Sequence, residues 1–157
     1  MYLRRFYFII LVYANLKMEY DTKDKTFWKR KGNDMKVLLG AVNAKYIHSN
    51  LAVYCLKAYA EKYGDTSDEI SIGEYTINQQ VDDILMSLYQ KHPDILCFSC
   101  YIWNIAFVEE LAEEFHKLRP EVPVWVGGPE VSYETESFLR EHPQITGVMI
   151  GEGDRKS

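Results

Sequence analysis

The segment "NAKYIHSNLA" at residues 43–52 sets a histidine, His48, in a polar loop between an apolar run and an amphipathic stretch. An imidazole there can ligate a metal, carry a proton or fill a turn. The local residues fit all three. Cys97 and Cys100 form a C-x-x-C spacing, but on a strand that odd separation sends the thiols to opposite faces. A redox pair also needs a helix N-terminus to lower one thiol, so both read as buried core cysteines. His92, His116 and His142 fall near helix ends without ligand spacing, where solvated capping explains them. Ser99 is a candidate hydroxyl ligand or a small core residue satisfied by backbone. Gly127-Gly128, in "VWVGGPEVS", is either a plain strand-to-helix turn or a place where a bulky group can touch the main chain.

The elements that position these residues alternate along the chain. "KVLLGAV" is a buried strand by length and branching. "SNLAVYCLKAYAEKYG" is a helix with Leu51, Cys55, Leu56 and Tyr59 on one face and Gly64 as its stop. "DEISIGEYTI" alternates as a second strand. A helix capped by Asn78 carries Val81, Ile84, Leu85 and Leu88, and Pro93 closes it. "DILCFSC" reads as a central parallel strand. The next helix turns Ile105, Val108, Leu111, Phe115 and Leu118 inward. "VPVWVGG" is strand four, followed by a short helix capped by Ser132. "ITGVMIGEGD" is strand five.

Five strands alternating with four helices predict an α/β domain, Rossmann-like or flavodoxin-like. Its parallel sheet has the order 2-1-3-4-5, with helices on both faces. Ligands of such sheets sit beyond the C-terminal strand ends, at the switch point between strands one and three. Four loops meet there: "NAKYIHSN", "YIW", "GGPEVS" and "GEGD".

Several residents of the fold are excluded by what they require. A phosphoacceptor receiver needs an acidic pair after strand one and an aspartate ending strand three; Asn43-Ala44 and Cys100 stand there. A flavodoxin needs a phosphate loop open to backbone approach, and "NAKYIHSN" has no glycine. Neither GxGxxG nor GxxxxGK[ST] occurs. The net charge of -5 argues against a nucleic-acid or anionic-membrane partner. Three cysteines, an odd number, point to a reducing, cytoplasmic setting.

Residues 1–34 stand apart. Their apolar run, residues 6–16, is shorter than the roughly 20 residues a bilayer span takes and lacks a small-residue cleavage site. A charged, aperiodic stretch then reads as linker. The expected domain division is an extension over residues 1–34, either an upstream in-frame translation or a floppy segment. A globular domain follows over 35–154, with a tail at 155–157.

Together, "KVLLGAVNAKYIHSNLA", "FSCY", "VWVGGPEVS" and "GVMIGEG" resemble the cobalamin-binding domain that precedes the catalytic core of B12-dependent radical SAM proteins. That family includes methyltransferases and proteins like anaerobic magnesium-protoporphyrin monomethyl ester cyclases. The resemblance covers nearly all of residues 35–154. The wider cobalamin-binding family carries D-x-H-x-x-G after strand one, S-x-L or S-x-T at strand three and a glycine pair at strand four. His48, Ser99 and Gly127-Gly128 stand at the matching places, while Tyr46 replaces the aspartate and Leu51 the glycine.

The resemblance implies a cofactor-binding set of Asn43, Tyr46, His48, Ser49, Ser99, Tyr101, Gly127, Gly128, Pro129, Glu130, Gly151 and Glu152. His48 holds the cobalt-ligand position. With Tyr46 for the orienting carboxylate, it is expected to line the pocket instead of ligating. The chain has no C-x-x-x-C-x-x-C cluster site, so no catalysis is expected from it alone. The implied whole enzyme adds a radical SAM domain in cis, with a [4Fe-4S] cluster and S-adenosylmethionine, for methyl transfer or radical, cyclase-like chemistry. The competing readings are a protein-interaction module docking through Tyr101 and Trp103, and a sensor for another small molecule.

Overall fold

The computed structural model describes residues 18–20, 28–30, 35–45, 49–63 and 68–150. The expectations for Tyr46, His48, Gly64, Gly151, Glu152 and the apolar run at residues 6–16 lie outside the described residues. The chain divides into two compact units, Met1–Asp34 and Met35–Ser157. In the first, β1 (Met18–Tyr20) and β2 (Trp28–Arg30) pair antiparallel, with Met18 opposite Arg30. The charged sequence there reads as linker because three-residue strands are too short to show alternation.

The second unit runs β3 (Lys36–Asn43), α1 (Leu51–Tyr63), β4 (Glu69–Thr76), α2 (Val81–Gln90), β5 (Ile95–Ser99) and α3 (Ile105–Leu118). It continues through β6 (Val124–Gly127), a 3-10 turn (Pro129–Val131), α4 (Thr135–Glu141) and β7 (Gly147–Met149). The sheet order is β4-β3-β5-β6-β7 and all four pairings are parallel. Counted within the unit this is 2-1-3-4-5, as the alternation of elements predicts.

Register assigns the faces. Leu38, Val42, Tyr75, Leu96, Phe98, Val124 and Val126 share one side of the sheet. They build the main core with Ile84, Leu85 and Leu88 of α2 and Val108, Leu111, Ala112 and Phe115 of α3. Phe138 and Leu139 of α4 pack on that same cluster. Of the described helices, α1 lies on the opposite side, over β3 and β4. At the other end of the sheet, carboxylates pin the start of β3: Asp68 accepts from the Met35 amide at 3.0 Å and Asp94 from the Lys36 amide at 2.8 Å.

Four local expectations are corrected. Leu118, expected to face inward, is 52% exposed: it is the last residue of α3, beyond the buried stripe of Val108, Leu111 and Phe115. Helix α1 buries Val53 and Ala60, while Leu51 and Cys55 are exposed; its apolar residues are spread around the helix, so periodicity alone misses the phase. Helix α2 begins at Val81 after Gln80, and Asn78 lies in the preceding turn. There the Gln79 side chain already satisfies the Thr76 amide at 2.8 Å. Ser132 does not cap α4; its hydroxyl donates to the Gly128 carbonyl at 2.7 Å, and Glu134 precedes the helix.

The two strand-three cysteines separate as alternation requires. Cys97 faces the α1 side, and Cys100 is fully buried in the main core. Burial pushes each thiol up to about 12, which suits inert core residues.

Candidate functional site

Two asparagines organise the C-terminal end of the sheet. Asn50 immediately precedes α1, and its Oδ1 accepts from the Ala52 amide at 3.1 Å. That bond satisfies one of the orphan donors of the helix start. Its Nδ2 donates to the Ser99 hydroxyl at the end of β5, so one side chain ties the start of α1 to the tip of the central strand. Asn104, 0% exposed, precedes α3. Its Nδ2 donates to the Val42 carbonyl at 2.9 Å and the Ser99 carbonyl at 3.0 Å, while its Oδ1 accepts from the Tyr101 amide at 2.7 Å. The tips of β3 and β5 are thereby locked together at the switch point.

Gly128 holds the next strand close. Its φ of 118° lies where L side chains strain, and a Cβ there would sit 2.3 Å from the Cys100 carbonyl oxygen. The Cys100 amide in turn donates to the Gly127 carbonyl at 2.6 Å. Gly128 therefore serves close approach of two backbone segments of this chain, whereas a Cβ on Gly127 would meet the Met149 side chain at 3.2 Å.

On the α1 side of the sheet, register sets two rows across β5, β6 and β7: Cys97, Trp125 and Gly147, then Ser99, Gly127 and Met149 at the strand ends. The second row is apolar except for the Ser99 hydroxyl. That hydroxyl accepts from Asn50, and its own proton meets no acceptor among the described residues. Beyond the strand ends stands an apolar rim. Leu51, Ile102, Trp103, Tyr133 and Ile150 are all exposed there, Ile102 at 77% and Tyr133 at 90%. Tyr101 and Trp103 stack face to face, 4.5 Å apart and 5° from parallel. Near the outer strand, Glu74 accepts from Tyr54 at 2.7 Å and from Asn43 at 3.4 Å. That bond raises the Tyr54 phenol above its usual range.

Asn43, Ser99, Tyr101, Gly127 and Gly128 all lie at this end of the sheet. Ser49 is exposed before α1, and Pro129 and Glu130 are exposed on the turn after β6. Tyr46, His48, Gly151 and Glu152 fall outside the described residues. The sequence reading missed Asn50 and Asn104. An asparagine opening a helix after a strand signals a cap; nothing local signals the partners they reach on other strands.

A family model described as the B12 binding domain matches residues 36–156. The chain belongs to the B12-binding domain family. As a B12-binding domain it is a cobalamin-binding module, and its relatives agree. It is 36% identical over 105 residues to the cobalamin-dependent radical SAM methyltransferase TokK of Streptomyces tokunonensis, covering 63% of this chain and 14% of that protein. Its fold matches that of the cobalamin-dependent S-adenosylmethionine radical enzyme OxsB, determined with aqua-cobalamin and S-adenosylmethionine bound. There the TM-score is 0.61 at 14% identity, over 87% of this chain and 21% of that one. A cobalamin-binding protein from Desulfitobacterium hafniense DCB-2 gives a TM-score of 0.53 at 17% identity, over 73% and 52% of the two chains. At such identities the structural likeness shows the fold alone. The B12-binding domain spans less than two thirds of each of these proteins.

Proposed function

We propose that this B12-binding domain holds cobalamin across the C-terminal end of its sheet, with the nucleotide tail on the α1 side and the corrin over the apolar rim. The tail would lie along Ser99, Gly127 and Met149, where a flat heterocycle finds a residue without a side chain, a flexible apolar one and one hydroxyl donor. Asn43, Tyr46, His48, Ser49, Tyr101, Gly128, Pro129, Glu130, Gly151 and Glu152 complete the proposed contacts. His48 would stand as a wall beneath the corrin. When bound, cobalamin supplies methyl-transfer or radical chemistry at its cobalt.

In the whole protein, a radical SAM domain in cis, carrying a [4Fe-4S] cluster and S-adenosylmethionine, would meet the outer corrin face. The activity would then be that of a methyltransferase or a cyclase-like enzyme, with residues 35–154 as its cofactor module and residues 1–34 as an extension outside it. Free cysteines at 55, 97 and 100 suit a reducing cytoplasm. No described helix is long and apolar enough to cross a membrane.

The observation that carries this reading is the Ser99 hydroxyl, a donor without an acceptor among the described residues, set in an otherwise apolar row at the proposed ligand edge. The test mixes the purified 157-residue chain with hydroxocobalamin under reducing conditions and follows gel filtration and the visible spectrum. Co-elution with a shifted spectrum is expected. An unchanged spectrum and mobility would overturn intrinsic binding.

A further inference from the structure

Ser99 and Asn50 face each other across the junction of β5 and α1, and the direction of their hydrogen bond is set by the helix. An asparagine amide can present either its oxygen or its nitrogen to a hydroxyl. Here the oxygen is engaged, because Asn50 Oδ1 accepts from the Ala52 amide at 3.1 Å, and only a side-chain oxygen can satisfy that backbone donor. The nitrogen is therefore the atom turned to Ser99, and Ser99 Oγ must accept. An accepting hydroxyl still carries its own proton and points it away from the donor. Among the described residues no other polar atom takes that proton, and the register neighbour of Ser99 on this face is Gly127, which has no side chain.

We propose that Asn50 is a positioning residue that fixes Ser99 as a hydrogen-bond donor toward the α1 side of β5 and β6, and so selects an acceptor atom there. This rests on the cobalamin reading, and narrows it. The group meeting Ser99 is an unprotonated ring nitrogen or a phosphate oxygen of the nucleotide tail, never an N–H or O–H donor. Asn50 acts through Ser99 and need not touch the ligand.

Asn50→Asp separates this role from support of the helix. Aspartate caps a helix start as well as asparagine does, but a carboxylate only accepts. Ser99 must then donate to Asp at position 50, and its proton leaves the ligand side. The full chain is titrated with hydroxocobalamin and with cobinamide, which has the same corrin and no nucleotide tail.

Asn50→Asp is expected to weaken hydroxocobalamin roughly tenfold or more, the scale of one buried hydrogen bond lost, and to leave cobinamide unchanged. Ser99→Ala should show the same selective loss, and adding Asn50→Asp to it should cost nothing further. Asn50→Ser retains a cap but is too short to reach Ser99, so it should lose part of the same preference. It is the second variant if Asn50→Asp does not fold. Equal loss for both corrinoids, no loss for hydroxocobalamin, or additive effects in the double variant would overturn the inference while leaving the cobalamin reading standing. Wild-type chain that binds neither corrinoid would overturn that reading, and the inference with it.

Discussion

Thr76, the last residue of β4, is 2% exposed, and its hydroxyl has no hydrogen-bond partner among the described residues. A buried hydroxyl left unsatisfied costs on the order of 1–3 kcal/mol relative to an apolar group of the same shape. Valine has that shape. Thr76→Val is therefore expected to stabilise the chain by about 1 kcal/mol, read as a rise of a few degrees in the midpoint of thermal unfolding. A lower midpoint would mean that the hydroxyl is satisfied in solution. Ser99 differs at the same scale: its oxygen is already engaged by Asn50, and replacing it removes a partner from a buried amide.

Among the described helices, α1 and α3 are each held by an asparagine, and they are held differently. Asn50 fastens α1 to one strand through a side chain, whereas Asn104 fastens the entry of α3 to main-chain groups of β3, β5 and the Tyr101 loop. Removing the buried Asn104 side chain takes a partner from two carbonyls and an amide, the Val42 carbonyl buried and the other two groups part-buried. Asn104→Ala should cost about 3 kcal/mol, measured as a fall in the urea midpoint with the slope unchanged.

The elements themselves were legible because each buries a periodic face: Ile84, Leu85 and Leu88 of α2 and Val108, Leu111 and Phe115 of α3 are buried as their spacing predicts. The phase of α1 was not, because apolar side chains on both its faces leave the choice to tertiary contacts. The asparagine bonds were not legible either, since they link residues 49 and 62 positions apart, far beyond any local pattern.

At the scale of the whole unit, the strand order follows from right-handed crossovers and was legible from the alternation of elements. The placing of Ser99 and the glycine pair at the C-terminal end of the sheet was legible with it. The use made of the glycines was not, because the approach of Cys100 to Gly128 depends on how two strands end side by side. A ligand that spans these strand ends binds the folded chain and not the unfolded one. Hydroxocobalamin at about 100 times its dissociation constant should then stabilise the chain by about 2.7 kcal/mol, seen as a melting midpoint that climbs with the logarithm of ligand concentration. A midpoint indifferent to the ligand would argue against a site built from several strands.

The bond from Asn104 to Val42, drawn across 62 residues of chain, also dictates an order of events on the ribosome. β3 is made early and pairs with β4 as far as Asn43 and Thr76, but its tie to the tip of β5 awaits Asn104, and the β6 tip that Gly128 seats against Cys100 comes later still. If the cofactor is held at the proposed edge, a nascent chain without the glycine pair would lack part of that edge, and loading would be a late step of biosynthesis.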